Sequence, residues 1–232
     1  VQLWLAVSLY KKQYKKQLPE PQSPVSINYC YIKILLHRSW PFAVAGILAI
    51  FQLRTGHFLL AYLDSTQALG WYSAASRLVE TGRQLPGAFF AALLPAMSAI
   101  VGTAALPVTR RYSQIIMLLL AIIAAGAAFF LGSWIIVTLY GAGYEPSVLI
   151  LQILALSLIP ALQNSVLIIF LYANGDEKFV NLLIGLGAVL NIGLCLFLIP
   201  GFGAAGTAWA LLITESVLYW PYKLRSGGGN IK

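Results

Sequence analysis

ALGWYSAASRLVETGRQLPGAFFAALLPAMSAIVGTAALPVTRR, residues 68–111, decides how this chain crosses a membrane. The stretch stays apolar from Ala68 to about Val101. At 1.5 Å per residue that is roughly 50 Å of helix, against a hydrocarbon layer of about 30 Å. Pro86-Gly87 and Pro95 offer places to divide it into two crossings. The basic pair Arg110-Arg111 argues against the division. Cytoplasmic connections are enriched in Lys and Arg, and two crossings would carry this pair to the opposite side from the other basic connections. One long helix, tilted or proline-kinked, keeps them together.

Working outward from that choice, the apolar runs divide into about six crossings. They fall near residues 40–63, 68–101, 112–140, 146–172, 179–199 and 204–222. Every second connection is then basic. Lys11, Lys12, Lys15, Lys16, Lys33 and Arg38 precede the first crossing, and Arg110 and Arg111 follow the second. Lys178 follows the fourth, and Lys223, Arg225 and Lys232 follow the sixth. The connections near Asp64, Glu145 and Gly201 carry no Lys or Arg. The remaining three basic residues of the 15, Arg54, Arg77 and Arg83, fall inside crossings.

The composition supports this class. The chain of 232 residues is 59% hydrophobic and 9% charged, whereas soluble domains carry about a quarter charged residues. Its net charge of +8 sits beside membrane segments, where it fixes topology and meets anionic lipid, so nucleic acid is not an expected partner. Cys30 and Cys195 show neither a disulfide framework nor metal-ligand spacing, and read as two unpaired thiols. No metal or cofactor is expected.

Four segments follow. Residues 1–10, VQLWLAVSLY, read as the end of a preceding transmembrane helix, which would make the chain the C-terminal part of a larger protein. Residues 11–39 form a basic cytoplasmic linker, in which 26–38 suits either an in-plane amphipathic helix or a loop. Residues 40–222 are the six-span lobe, and 223–232 a cytoplasmic tail. The fold class is therefore all-α, a polytopic transmembrane helix bundle.

Charges inside crossings are costly, about 2.5–3.5 kcal/mol each at the bilayer centre on insertion scales, so they face a wet cavity or pair. Counting rise from the outer ends puts Arg54 and Arg77 about 13 Å deep, Glu215 about 16 Å and Glu80 about 18 Å. Charges from three helices thus share one level. Ser73, Arg77, Glu80 and Gln84 follow i, i+4, i+7, i+11 and form one stripe, with Arg83 to its side. One reading is a cationic cavity wall for an anionic substrate group, with Glu80 tuning it. Another is an internal Arg77–Glu80 ion pair at i, i+3. Arg54 has no acid within one turn, so Glu80 or Glu215 on another helix is its structural alternative. Guanidinium suits phosphate because its planar fork donates two parallel hydrogen bonds at any relevant pH. The candidate substrate-binding set is Arg54, Arg77, Glu80, Arg83, Gln84 and Glu215. His57 reads as an interfacial histidine, and Gln163, Asn164 and Asn191 as interhelical hydrogen-bonding residues.

Gly201-Phe202-Gly203-Ala204-Ala205-Gly206 matches G-x-G-x-x-G, yet a dinucleotide site needs a soluble βαβ unit and an acid about 20 residues on. Between membrane spans the small residues instead allow close helix packing. With no P-loop, zinc motif or nucleophile–His–acid set, an enzyme is not expected.

Several stretches carry a resemblance. SWPFAVAGILAIFQLRTGHFLLAYL (39–63) and ALGWYSAASRLVETGRQLPGAFFAALLPAMS (68–98) resemble the start of the second half of bacterial polysaccharide flippases. These belong to the multidrug/oligosaccharidyl-lipid/polysaccharide exporter superfamily. TLYGAGYEPSVLILQILALSLIP (138–160) and LYANGDEKFVNLLIGLGAVLNIGLCLFLIPGFGAAGTAWALLITES (171–216) continue the likeness. The resemblance implies two six-helix lobes around a central cavity, of which this chain supplies one beside an N-terminal lobe. It implies alternating access that flips lipid-pyrophosphate-linked oligosaccharide across the bacterial inner membrane for O-antigen, capsule or exopolysaccharide, with a proton or sodium as coupling ion. Arg54 and Arg77 match arginines of the family. Many relatives carry an acid two residues after the first of these, where this chain has Gly56. Two other readings stand beside it. A multidrug exporter would have to bind cations against three arginines. A non-transporting subunit of a polysaccharide assembly complex would tolerate loss of those arginines.

Overall fold

A computed structural model describes residues 40, 46–47, 50, 54–103 and 105–227, with backbone alone at 82–88, 90–92 and 94–95. Of the segments expected at the termini, 1–39 and 228–232 lie outside the described residues, as does most of the first crossing before residue 54. Pro41–Lys232 form one compact unit.

Among the described residues the architecture is all helical. Helix α1 is described over 54–63. A two-residue turn follows, closed by Asp64, whose Oδ1 accepts the Ser65 amide at 2.6 Å, and by Ser65, whose hydroxyl accepts the Ala68 amide at 3.1 Å. Ser65 is thus a polar N-cap, satisfying an amide that the first turn leaves without an internal partner. Helix α2 runs Thr66–Ala99, α3 Ala105–Tyr140, α4 Ser147–Ala173 and α5 Glu177–Gly227. A short 3-10 turn, Ala142–Tyr144, joins α3 to α4.

Helix α2 is one element, as the basic pair after it requires: its backbone stays helical through Pro86 and Pro95. Helix α5, by contrast, is two elements. Gly203 has φ 54° and ψ −134°, outside helical space, and folds the chain back on itself. Gly187 lies against Leu218, Asn191 against Thr214, and Leu198 against Gly206, so the partners converge on Gly203 as in an antiparallel hairpin. The expected turn at 200–203 is therefore shorter than its composition suggests. The first arm stays helical through Pro200 and Gly201, and the break falls at Gly203 alone.

Among the described residues three helices, α3, α4 and α5, are long and apolar enough to cross a membrane. That is fewer than the six spans expected: α1 is described over ten residues only, α2 is not among the three, and the two arms of α5 count together as one helix. Helix α4 is the centre. It packs against α2, α3 and α5, and 61% of its most apolar window is buried, against 28% for α3 and α5. Helix α3 meets it through a stripe of small residues, Ala121, Ala125, Ala128 and Gly132, spaced four, three and four apart on one face. Small side chains let helix backbones approach where lipid supplies no hydrophobic drive. The opposite face of α3 exposes Ile123, Phe130 and Trp134, a surface suited to hydrocarbon rather than water.

Charge placement and topology agree. The Arg225 guanidinium holds Asp176 through two hydrogen bonds of 2.8 and 3.2 Å, and Arg110 Nη1 donates to the Ser226 carbonyl at 2.8 Å. Among the described residues, the basic connections after α2, α4 and α5 meet at one end of the bundle. At the other end Trp71 donates to the Gly143 carbonyl, and Asp64 lies beside Gly203.

Candidate functional site

Helices α1 and α2 run antiparallel from the Asp64–Ser65 turn and meet in successive rungs. Nearer the turn, His57 Nε2 lies 3.2 Å from Ser76 Oγ, and the His57 ring sets its edge on Tyr72 at 4.9 Å between centroids. One turn deeper, Arg54 Nη1 lies 4.0 Å from Glu80 Oε1. That separation exceeds the 2.7–2.9 Å of a charge-assisted hydrogen bond, so the pair attracts without locking. Both side chains stay accessible, Arg54 by 56% and Glu80 by 38%. Arg77 is exposed on the same helix, and among the described residues no carboxylate pairs with it.

The interhelical pairing of Arg54 with Glu80 answers the question the sequence left open. Among the described residues, Glu80 takes its ion pair from α1 and not from Arg77 one turn back. His57 is half-buried in this site, with Nε2 beside Ser76 Oγ.

A small cavity lies beside Glu80, lined by Gly56, His57, Tyr72, Ser76, Asn191 and Thr207. Its volume of about 30 Å³ leaves room for water beside these polar groups. The Thr207 hydroxyl, 1% exposed, lines it without a hydrogen-bond partner among the described residues.

Gly56 has a geometric role. A Cβ at this position would fall 2.6 Å from the Thr207 methyl and 3.3 Å from the Tyr72 hydroxyl. The acid that the resemblance places here in other chains has no room in this packing.

Glu215 takes its hydrogen bonds from α4. The Asn164 side-chain amide donates to both the Glu215 carboxylate, at 2.9 Å, and the Glu215 backbone carbonyl, at 2.8 Å, tying α4 to the second arm of α5. Rise along a helix estimated its level, but azimuth decides its partner, and α4 occupies the face toward which Glu215 points. Arg83 and Gln84 lie on the continuous backbone of α2, and their side chains fall outside the described residues.

Gln163 donates to the Gln114 carbonyl at 2.9 Å and Asn191 meets Thr214 Oγ1 at 3.4 Å, both interhelical as expected. Cys195 is buried and unpaired. Sequence reasoning missed two features. One is the His57–Ser76–Thr207 lining, whose residues are single, ordinary polar positions on three elements. The other is a groove of about 710 Å³ between α3, α4 and the end of α5, lined by Arg110, Arg111 and Lys223. Charge placement sets its basic residues at the membrane surface but does not show that they share a groove. The aromatic pair Tyr219-Trp220, one turn before Lys223, was the available signal.

No curated protein and no solved structure matches this chain. A family model described as polysaccharide biosynthesis protein matches residues 17–198, a stretch running from the basic linker through α4 and most of the first arm of α5. The helices that carry Arg54, Arg77 and Glu80 lie within that match, and the chain is a membrane protein that belongs to the polysaccharide biosynthesis family.

Proposed function

We propose that the chain forms a six-span lobe of a flippase that carries lipid-pyrophosphate-linked oligosaccharide across the bacterial cytoplasmic membrane. The lobe pairs with an N-terminal lobe, works by alternating access with a proton or sodium as driving ion, and catalyses no covalent step. The observation that carries this reading is the exposure of Arg54 and Arg77 on an otherwise apolar bundle, with one carboxylate 4.0 Å from the first. A guanidinium in a membrane helix is retained against a substantial insertion cost, and a passing pyrophosphate gives it a partner. Glu80 offsets part of the charge, which keeps an anionic substrate from being held too tightly to leave. The polysaccharide family membership supports the substrate class. Excess positive charge disfavours a multidrug exporter, whose organic cations it would repel.

The test is surface glycan export by the full-length protein. Arg54→Ala and Arg77→Ala should each lower export about tenfold or more, the worth of one charged hydrogen bond, while membrane insertion stays unchanged. Unchanged glycan with both substitutions would overturn the reading in favour of a non-transporting assembly subunit.

A further inference from the structure

The groove between α3, α4 and the second arm of α5 lies at the basic end of the bundle, away from Arg54 and Glu80. From its charge and its shape we infer that it binds an anionic glycerophospholipid of the surrounding leaflet. This inference does not depend on the transport reading.

Charge comes first. Arg110, Arg111 and Lys223 line the groove, and among the described residues no carboxylate does. Arg110 is fixed in place: it is half-buried, donates to the Ser226 carbonyl and lies 4.7 Å over the Phe170 ring. Arg111 and Lys223 are exposed and stand beside it. The Lys223 ammonium sits over Tyr219 at 5.3 Å and Trp220 at 5.7 Å, rings that favour the headgroup level of a bilayer. Two guanidinium groups and an ammonium in one mouth match a phosphodiester, which accepts bidentate hydrogen bonds.

Polarity then changes along the groove. Helix α3 runs inward from this end, so Leu118 lies two turns, about 10 Å, deeper than Arg111. Ile115 and Leu167 line the same inner stretch. Cations at the mouth and aliphatic walls within are the order of a phospholipid, headgroup first and acyl chain after. A free anion would have no use for the inner walls. Basic pockets between membrane helices at this level take up anionic headgroups for the same reason. The volume of about 710 Å³ lies within the range of ligand sites.

Trp220 lines the groove and reports on it. The full-length protein in mixed micelles is titrated with acyl-brominated phosphatidylglycerol or phosphatidylcholine. Trp220 quenching is taken as the difference between the wild type and Trp220→Phe. Phosphatidylglycerol should quench preferentially, and the preference should fall about fivefold for each of Arg111→Gln and Lys223→Gln. Arg225→Gln removes a cation at the same end that does not line the groove, and should leave the preference intact. Inorganic phosphate should not compete. Equal quenching by the two lipids overturns the inference, as does an equal loss in Arg225→Gln, which would reveal general surface charge. Competition by inorganic phosphate overturns it in favour of a free-anion site.

Discussion

The two ends of the bundle are held together by different physics. At one end, around Asp64, Gly143, Gly203 and Gly206, the chain turns tightly and backbones touch. At the other, around Asp176, Arg110, Lys223 and Arg225, long charged side chains bridge the helix ends. Steric contact at Gly203 and Gly206 leaves little freedom for substitution there. Ionic contact at the second end is exposed and adjustable, and the cation-lined groove opens there.

The largest test of this contrast is Gly206→Ala. An added Cβ would sit 2.5 Å from the Leu198 carbonyl oxygen and 2.7 Å from its carbon, backbone atoms that cannot rotate away. Unfolding in detergent, followed by tryptophan emission, should show a loss of about 1–3 kcal/mol or more. An unchanged midpoint would mean that the hairpin does not pack this tightly.

Next comes Gly56→Ala, whose obstacle is a side-chain methyl and can therefore be relieved. The single variant should cost about 1–3 kcal/mol, and Gly56→Ala with Thr207→Ser, which deletes that methyl, should recover more than half. Additive losses would place Gly56 away from Thr207.

Asn164→Leu probes the middle of the bundle, where one buried amide satisfies two oxygens of Glu215. Removing it should cost about 1–2 kcal/mol, because a half-buried carboxylate loses its donor. The loss should shrink when Glu215→Gln is added, since a neutral amide is cheaper to leave unpaired.

Smallest of all should be Asp176→Asn at the basic end. The Arg225 side chain is 53% exposed, so the pair is screened by water and salt. Its effect on the midpoint should be slight at low ionic strength and vanish at high. A large, salt-independent effect would mean that this end is as rigidly built as the other.

How much of this was legible beforehand follows from the kind of information each feature carries. Helix α4 was readable to within a residue at each end and α3 at its C-terminal end, because continuous apolar runs leave a membrane helix no other state. Helix α3 starts at Ala105, ahead of the expected 112, since its first turns carry the polar Arg110 and Arg111. The single long α2 was readable despite two prolines, since the charge of Arg110 and Arg111 constrains the parity of crossings. The candidate site was readable in part. Placing Arg54 and Glu80 at similar depth was sound, and they meet at 4.0 Å. The partner of Glu215 was not readable: Asn164 holds it, and depth along a helix says nothing of the side from which a neighbour approaches.

The sequence by itself determined the membrane class, the helix order and which connections share an end, because hydropathy and Lys/Arg placement act locally along the chain. Only the tertiary structure decided that Glu80 takes Arg54 as its partner, that Asn164 claims Glu215, and that topology-setting cations also line a groove. Those outcomes depend on helix rotation and on which helix lies between two others, quantities set by the packing of all the helices at once.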